Sequence, residues 1–266
     1  MKYICETSGE IGMRKILLIW LLLLPHVAHA DKFSAEFRYW IQRPTPDIQA
    51  NTREFGAYTA NEPLELSEAP DVEFKFNINK SQTLKANFAW LTYEYNKRES
   101  RMVKLFLVGA DIKEELMLSR FSLGWQYNIL NLKHIEFGPL LDMKFAWLKY
   151  NLTACNFSIY GVPAGALIPE VSEEDEIVIF LPSPGIHMSV KVFRGVKVSL
   201  EFSGSHVGSY SGIDFGTFLS VPVFKYVALT GGYKLMYITL SHKKIEGDLL
   251  SHGATIGMKL NFYAEN

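Results

Sequence analysis

From residue 31 onward, apolar and polar side chains alternate in short runs, the period of two that a β-strand imposes and a helix does not. The C-terminal run is the plainest: Ala254, Ile256, Met258, Leu260 and Phe262 share one face, with Thr255, Gly257, Lys259 and Asn261 on the other. The first run mirrors it, setting Phe33, Ala35, Phe37, Tyr39 and Ile41 against Ser34, Glu36, Arg38, Trp40 and Gln42. Between them the pattern predicts hairpins. Val72 to Ile78 turns at Asn79-Lys80-Ser81 into Leu84 to Trp90, and Phe121 to Tyr127 turns near Asn131 into Ile135 to Trp147. Ile186 to Val192 turns at Phe193-Arg194-Gly195 into Val196 to Phe202, and Ile213 to Val221 turns near Phe224-Lys225 into Val227 to Tyr237. Turns inside the hairpins are short, about two to five residues.

Connections between the hairpins are longer. Arg43 to Pro70, Asn151 to Glu176 and Ser241 to Leu250, with a modest one at Asn96 to Arg101, are rich in Pro, Glu, Asp, Ser and Asn and read as exposed loops. Tight turns at one rim and long loops at the other predict an all-β, antiparallel up-and-down transmembrane β-barrel. With both termini at the short-turn rim the strand number is even: about ten, with eight as the alternative. Aromatic placement agrees. Phe33, Trp125, Tyr127, Phe137, Phe193, Phe224, Tyr226, Phe262 and Tyr263 fall near the short-turn rim, and Tyr39, Trp90, Trp147 and Tyr237 near the other, as two interfacial girdles would. The competing fold is a secreted β-sandwich that buries the apolar faces in a core. Its strands run about five or six residues, shorter than several of these.

The N-terminus decides the compartment. Met13, Arg14 and Lys15 lead into the apolar run Ile16 to Leu24, followed by Pro25, His26 and the small-residue site Ala28-His29-Ala30. This order of charge, apolar run and A-x-A site predicts a signal peptide over 1–30, with translation able to start at Met13, and a barrel domain over 31–266. A net charge of −1 gives no pull toward nucleic acid. Of the cysteines, Cys5 leaves with the signal peptide and Cys155 stands alone, so no internal disulfide is expected.

The chain resembles the small single-domain outer-membrane β-barrel proteins of Gram-negative bacteria, by its strands, turns and girdles over nearly all of Asp31 to Phe262 rather than by a motif. It departs from them at the end, where Ala264-Glu265-Asn266 follows Phe262-Tyr263 in place of a terminal aromatic. The resemblance implies an integral outer-membrane protein with periplasmic termini and extracellular loops, outer-membrane lipid and lipopolysaccharide as its surroundings, and the outer-membrane assembly machinery as a partner. If the apolar face meets lipid, the lumen receives Glu36, Arg38, Glu73, Lys75, Lys85, Arg120, Glu136, Asp142, Lys144, Lys191, Lys197, Glu201, Asp214, Lys234 and Lys259. A barrel this narrow lets such side chains meet, so an ion-pair network filling the interior is expected, giving a structural or narrow-pore role. The alternative is a passive channel for small solutes, anions in particular, because basic residues outnumber acidic ones in this set.

Any enzymatic chemistry would have to lie on the same face. The omptin-type proteases share this architecture but carry an Asp-x-Asp and an Asp-x-His, and neither pair occurs here. His187, Ser189 and Glu201 are spaced similarly to the triad of the lipid A deacylases, in which Ser attacks, His is the base and Glu orients it. Val190-Lys191 replaces that family's continuation after the Ser, and these side chains face inward, away from lipid. The expectation is a non-enzymatic protein whose His187 and Glu201 pair inside the lumen. No HExxH or phosphate-binding glycine loop is present, and neither metal nor cofactor is expected.

Overall fold

A computed structural model describes residues 32–52, 56–60, 67–98, 111–155, 171–193, 195–241 and 245–263. The signal peptide expected over 1–30 lies outside the described residues. The strands are β1 (Lys32–Thr52), β2 (Gly56–Ala60), β3 (Ser67–Asn77), β4 (Gln82–Arg98), β5 (Asp111–Tyr127), β6 (Leu130–Asn131), β7 (Ile135–Cys155), β8 (Val171–Lys191), β9 (Lys197–Val207), β10 (Tyr210–Phe224), β11 (Val227–Ser241) and β12 (Ile245–Tyr263). Each pairs antiparallel with its neighbours, and β12 pairs back onto β1, so the sheet closes. β2 runs on the same side of β1 as β3, in nearly the same register, and β6 is a two-residue pairing on β7. The remaining strands form a ten-stranded barrel, the larger of the two expected numbers.

Its dimensions follow from the register. Stepping through paired residues from Arg38 in one direction passes Asp71, Ala89, Arg120 and Ala146 and reaches Ile179 on β8. Stepping in the other passes Gly257, Thr230, Ser220 and Lys197 and reaches Lys191 on the same strand, an offset of 12 residues. With strands spaced about 4.8 Å apart and rising about 3.3 Å per residue, that shear tilts the strands by about 40° and gives a backbone radius of about 10 Å. Long side chains from opposite walls meet across such a lumen.

Polarity inverts along individual strands. On β7, Leu141, Met143, Phe145 and Trp147 point outward while Asp142 and Lys144 point inward; beyond them, Lys149 is outward and Ala146, Leu148 and Tyr150 are buried inside. β8 repeats this in reverse chain order. Glu174 and Glu176 are outward over buried Ile177, Ile179 and Leu181, followed by outward Val178, Phe180, Ile186 and Met188 over buried Ser183, His187 and Ser189. The turn-rim part of the barrel is therefore apolar outside and polar inside, as a membrane demands, and the loop-rim part is polar outside and apolar inside, as water demands. Above the switch, Lys149 donates a 2.9 Å hydrogen bond to Glu174, which raises the Lys149 pKa.

The strands exceed their expected lengths at the loop rim. Residues 43–52, 67–70, 151–155, 171–176 and 245–250, read as loop, are strand. Their prolines had suggested otherwise, yet each sits at a place where the ladder has one side only. Pro44 and Pro46 pair with β12 at a stretch of β1 that β3 does not reach, and Pro70 pairs with Tyr39 of β1 beyond the last β3–β4 pair at Asp71 and Ala89; on β8, Pro182 and Pro184 likewise pair with β7 beyond the last β8–β9 pair at Gly185 and Ser203. The turn rim is as tight as expected. The Asn79 carboxamide oxygen accepts from the backbone N–H groups of Ser81 and Gln82 at 2.8 and 2.9 Å, and Gly195 takes φ of 80° between β8 and β9.

One turn folds inward. After β5 the chain crosses Gly138 so closely that a Cβ there would lie 1.8 Å from the Tyr127 carbonyl oxygen, and this close approach delivers Asn128 to the interior. Gly138→Ala is expected to cost about 1–3 kcal/mol, read as a lower urea midpoint for unfolding from detergent micelles.

Candidate functional site

The interior is built in two layers. The first, toward the turn rim, is an ionic network contributed by every side of the barrel. Asp71, fully buried, accepts from Lys234 Nζ at 2.6 Å and from the Asn87 carboxamide, with Arg38 at 3.5 Å. Arg38 also lies 3.5 Å from Glu73 and 3.9 Å from Glu36, and its guanidinium stacks 4.6 Å above the Phe218 ring. Asp214 accepts from Arg120 and, at 2.5 Å, from Lys144, which also donates to Ser203 at 2.7 Å. Glu201 accepts from Lys85 at 2.6 Å and lies 3.6 Å from Lys75, which is 2.9 Å from Glu73. At the turn rim Glu136 accepts from Lys197 at 2.8 Å and Ser189 at 2.9 Å, with Lys191 at 3.4 Å.

These groups are held by strand period and register alone. Residues two apart on one strand share a face, so Glu36 and Arg38, or Lys85 and Asn87, arrive together; register then brings Arg38 level with Asp71. Among the described residues, Asp142 and Lys259 have no ion-pair partner within 4 Å. Asp142 borders a cavity of about 60 Å³, room for a few waters, whose wall includes Arg38, Lys85, Arg120, Glu201 and Asp214.

The three residues of the triad-like spacing are adjacent, but the expected His187–Glu201 pair does not form, because each is bonded elsewhere. His187 and Glu201 are cross-strand partners. Yet Glu201 is engaged by lysines, His187 Nε2 is 2.5 Å from the Asn128 carboxamide oxygen, and the Ser189 hydroxyl donates to Glu136. His187 Nδ1 has no hydrogen-bond partner among the described residues. Ser189→Ala removes one hydrogen bond to a carboxylate that keeps two lysines, so a loss of about 1 kcal/mol in chemical denaturation is expected.

The second layer, toward the loop rim, is apolar: Trp40, Leu91, Leu118, Leu148, Ile179, Met236 and Leu249 are among its buried members. Within it lies a polar node in which Ser251 donates to the Gln42 side-chain oxygen and the Tyr93 hydroxyl is 3.3 Å from both. Lys234 Nζ, 4.9 Å from the Trp40 ring centroid, joins the two layers. The sequence reading placed charges throughout the lumen and missed this layer, along with Asp71 and Asn128. Extending the period of two past each run would have found Asp71, two before Glu73, and Leu148 and Tyr150, in phase with Lys144. Asn128 could not be found so, because it enters through a turn.

No family model and no curated protein matches this chain. Solved structures do. The outer membrane protease OmpT of Escherichia coli superposes with a TM-score of 0.56 at 11% identity, covering 88% of this chain and 98% of that one. The translocator domain of the autotransporter NalP of Neisseria meningitidis gives 0.49 at 10% identity, with 94% and 95% covered. Ail, the attachment invasion locus protein of Yersinia pestis, gives 0.38 at 8% identity, with 88% and 99% covered. At such identities the likeness concerns the fold. This chain is a closed ten-stranded antiparallel barrel with the fold of the Gram-negative outer-membrane β-barrel proteins.

Proposed function

We propose that the protein is a closed, non-enzymatic barrel of the outer membrane that anchors its long loops at the cell surface, with both termini in the periplasm. The observation that carries this reading is the stacking of two sealing layers in one lumen: a cross-linked ionic network and, above it, packed apolar side chains from Trp40 to Leu249. An ion crossing from rim to rim would have to leave the first layer's charges and pass through the second without water, where each charge costs several kcal/mol. Lipopolysaccharide around the barrel and the assembly machinery that inserts it are the partners this placement calls for. Its chemistry is that of a scaffold. His187, Ser189 and Glu201 are each committed to structural partners, which supports the non-enzymatic reading.

Purified protein in planar bilayers is expected to show no current steps above the bare-membrane leak. Regular single-channel steps from the unmodified protein would overturn the reading. A second reading, a narrow anion passage, is favoured by Lys259 and by the exposed Lys191 and half-buried Lys197 at the turn rim. It requires steps whose reversal potential in a salt gradient has the anion-selective sign.

A further inference from the structure

The inward charges are balanced deep in the ionic layer and unbalanced at its turn-rim end. Five cations border the interior cavity, and its four carboxylates, together with Asp71 bonded to Lys234, match them one for one. Nearer the turns the inward charges are Lys75, Lys191, Lys197 and Lys259 against Glu36 and Glu136. Two positive charges are left over there.

Pairing within this group does not absorb them. Lys191 and Lys197 share one carboxylate, Glu136, at 3.4 and 2.8 Å, and the buried Glu36 lies 3.9 Å from Arg38. Lys259 is the register partner of Glu36, yet among the described residues it has no ion-pair partner within 4 Å.

This end of the lumen is also open to solvent. The side chains of Lys191, Lys197 and Lys75 are 51%, 33% and 23% exposed, and Ser199, Ser220 and Asn261 are half-buried. Further up, Ser203 on β9, Lys234 on β11 and Thr255 on β12 are buried. Between Lys197 and Lys259 the wall carries short side chains: Ser220 pairs with Lys197, and Ala228 pairs with Lys259. The space between the two ammonium groups is therefore not filled from that wall. On the other side the inward turn brings Asn128 against His187, so the mouth is one-sided.

We propose that this mouth binds a small, doubly charged oxyanion of the phosphate class, held between Lys197 and Lys259 with hydroxyl donors from Ser199 and Ser220. Three features select this ligand. Two surplus charges match a dianion, where a halide would balance only one. Ammonium and hydroxyl groups donate to phosphate oxygens in the short, charge-assisted bonds that such an ion forms. The ionic and apolar layers close the lumen above, so the ion is held rather than passed. The inference rests on the closed barrel proposed above, and conductance separates the two.

Full-length protein folded in non-ionic detergent is titrated calorimetrically with sodium phosphate at mildly alkaline pH, and with sodium chloride at matched ionic strength. Saturable binding at one site per chain is expected for phosphate and none for chloride. Lys259→Gln and Lys197→Gln, each folded by heat-modifiable migration, are expected to weaken phosphate about tenfold, the loss of one bond to a charged group. Lys259→Arg, which keeps the charge, is expected to retain binding, and so is Lys80→Gln, exposed on the β3–β4 turn. Absence of saturable binding to the parent overturns the site. Phosphate binding unchanged in both lumen variants, or weakened as much by Lys80→Gln, overturns it as well, since general surface charge would then hold the ion. Equal binding of chloride overturns the oxyanion assignment. Current steps in planar bilayers beside intact phosphate binding would remove the closed-barrel reading and keep the site.

Discussion

Asp71→Ala is expected to destabilise the barrel by about 3–5 kcal/mol, the largest loss of any single change to the interior network. Asp71 is fully buried and is the acceptor on which Lys234, Arg38 and Asn87 converge from three strands. Without it two cations remain in the lumen with less opposite charge, and Lys234 has no other ion pair within 4 Å among the described residues. The cost comes from stranding those charges rather than from the bond itself, which gives a second expectation. Asp71→Ala combined with Lys234→Met should recover part of the loss, because the double change removes both ends of the pair. Urea unfolding of micellar protein followed by tryptophan emission measures both. A single variant as stable as the parent would mean that water, and not Asp71, solvates these cations.

Phe145→Arg is expected to cost about 2–4 kcal/mol, the penalty for a charge near the middle of a barrel's lipid face. Phe145 is exposed on the outer wall, its ring 4.9 Å from that of Phe180 and 6.3 Å from that of Phe121. The charge loses hydrocarbon surroundings, and the aromatic cluster loses its centre. Glu176→Arg, also outward but beyond the polarity switch on β8, should change stability by less than about 0.5 kcal/mol, as substitutions at solvated positions do. Comparing the two by unfolding from lipid vesicles locates the membrane boundary on the barrel wall. Equal costs at both positions would place the boundary beyond Glu176; equal absence of cost would remove lipid from the Phe145 face.

Much of this architecture could be read from the residues. The ten runs of alternation correspond to the ten barrel strands, and the turns at Asn79, Gly195 and Lys225 lie where turn chemistry put them. Period two is robust because each strand has one face toward lipid and one toward the lumen, and a single-residue slip would invert both. Strand ends were less legible. Around Pro44, Pro46 and Pro70 the composition suggests loop, and only the three-dimensional pairing reveals edges where a missing N–H costs nothing.

The chain by itself determined the fold class and which side chains share one face of each strand, since these depend on the identity of neighbours one or two residues apart; between the two strand numbers it allowed, closure of the sheet chose ten. Tertiary structure alone decided the rest. A shear of 12 residues sets which charges meet: Asp214 falls to Arg120 and Lys144, Glu201 to Lys85, and Ser189 to Glu136 rather than to His187. It also decided that alternation reverses its meaning along one strand, so that the inward face of β7 is ionic at Lys144 and apolar at Leu148. The physical reason is that alternation states only that two faces differ. Which face water, lipid or protein will cover depends on how far along a tilted strand the membrane ends.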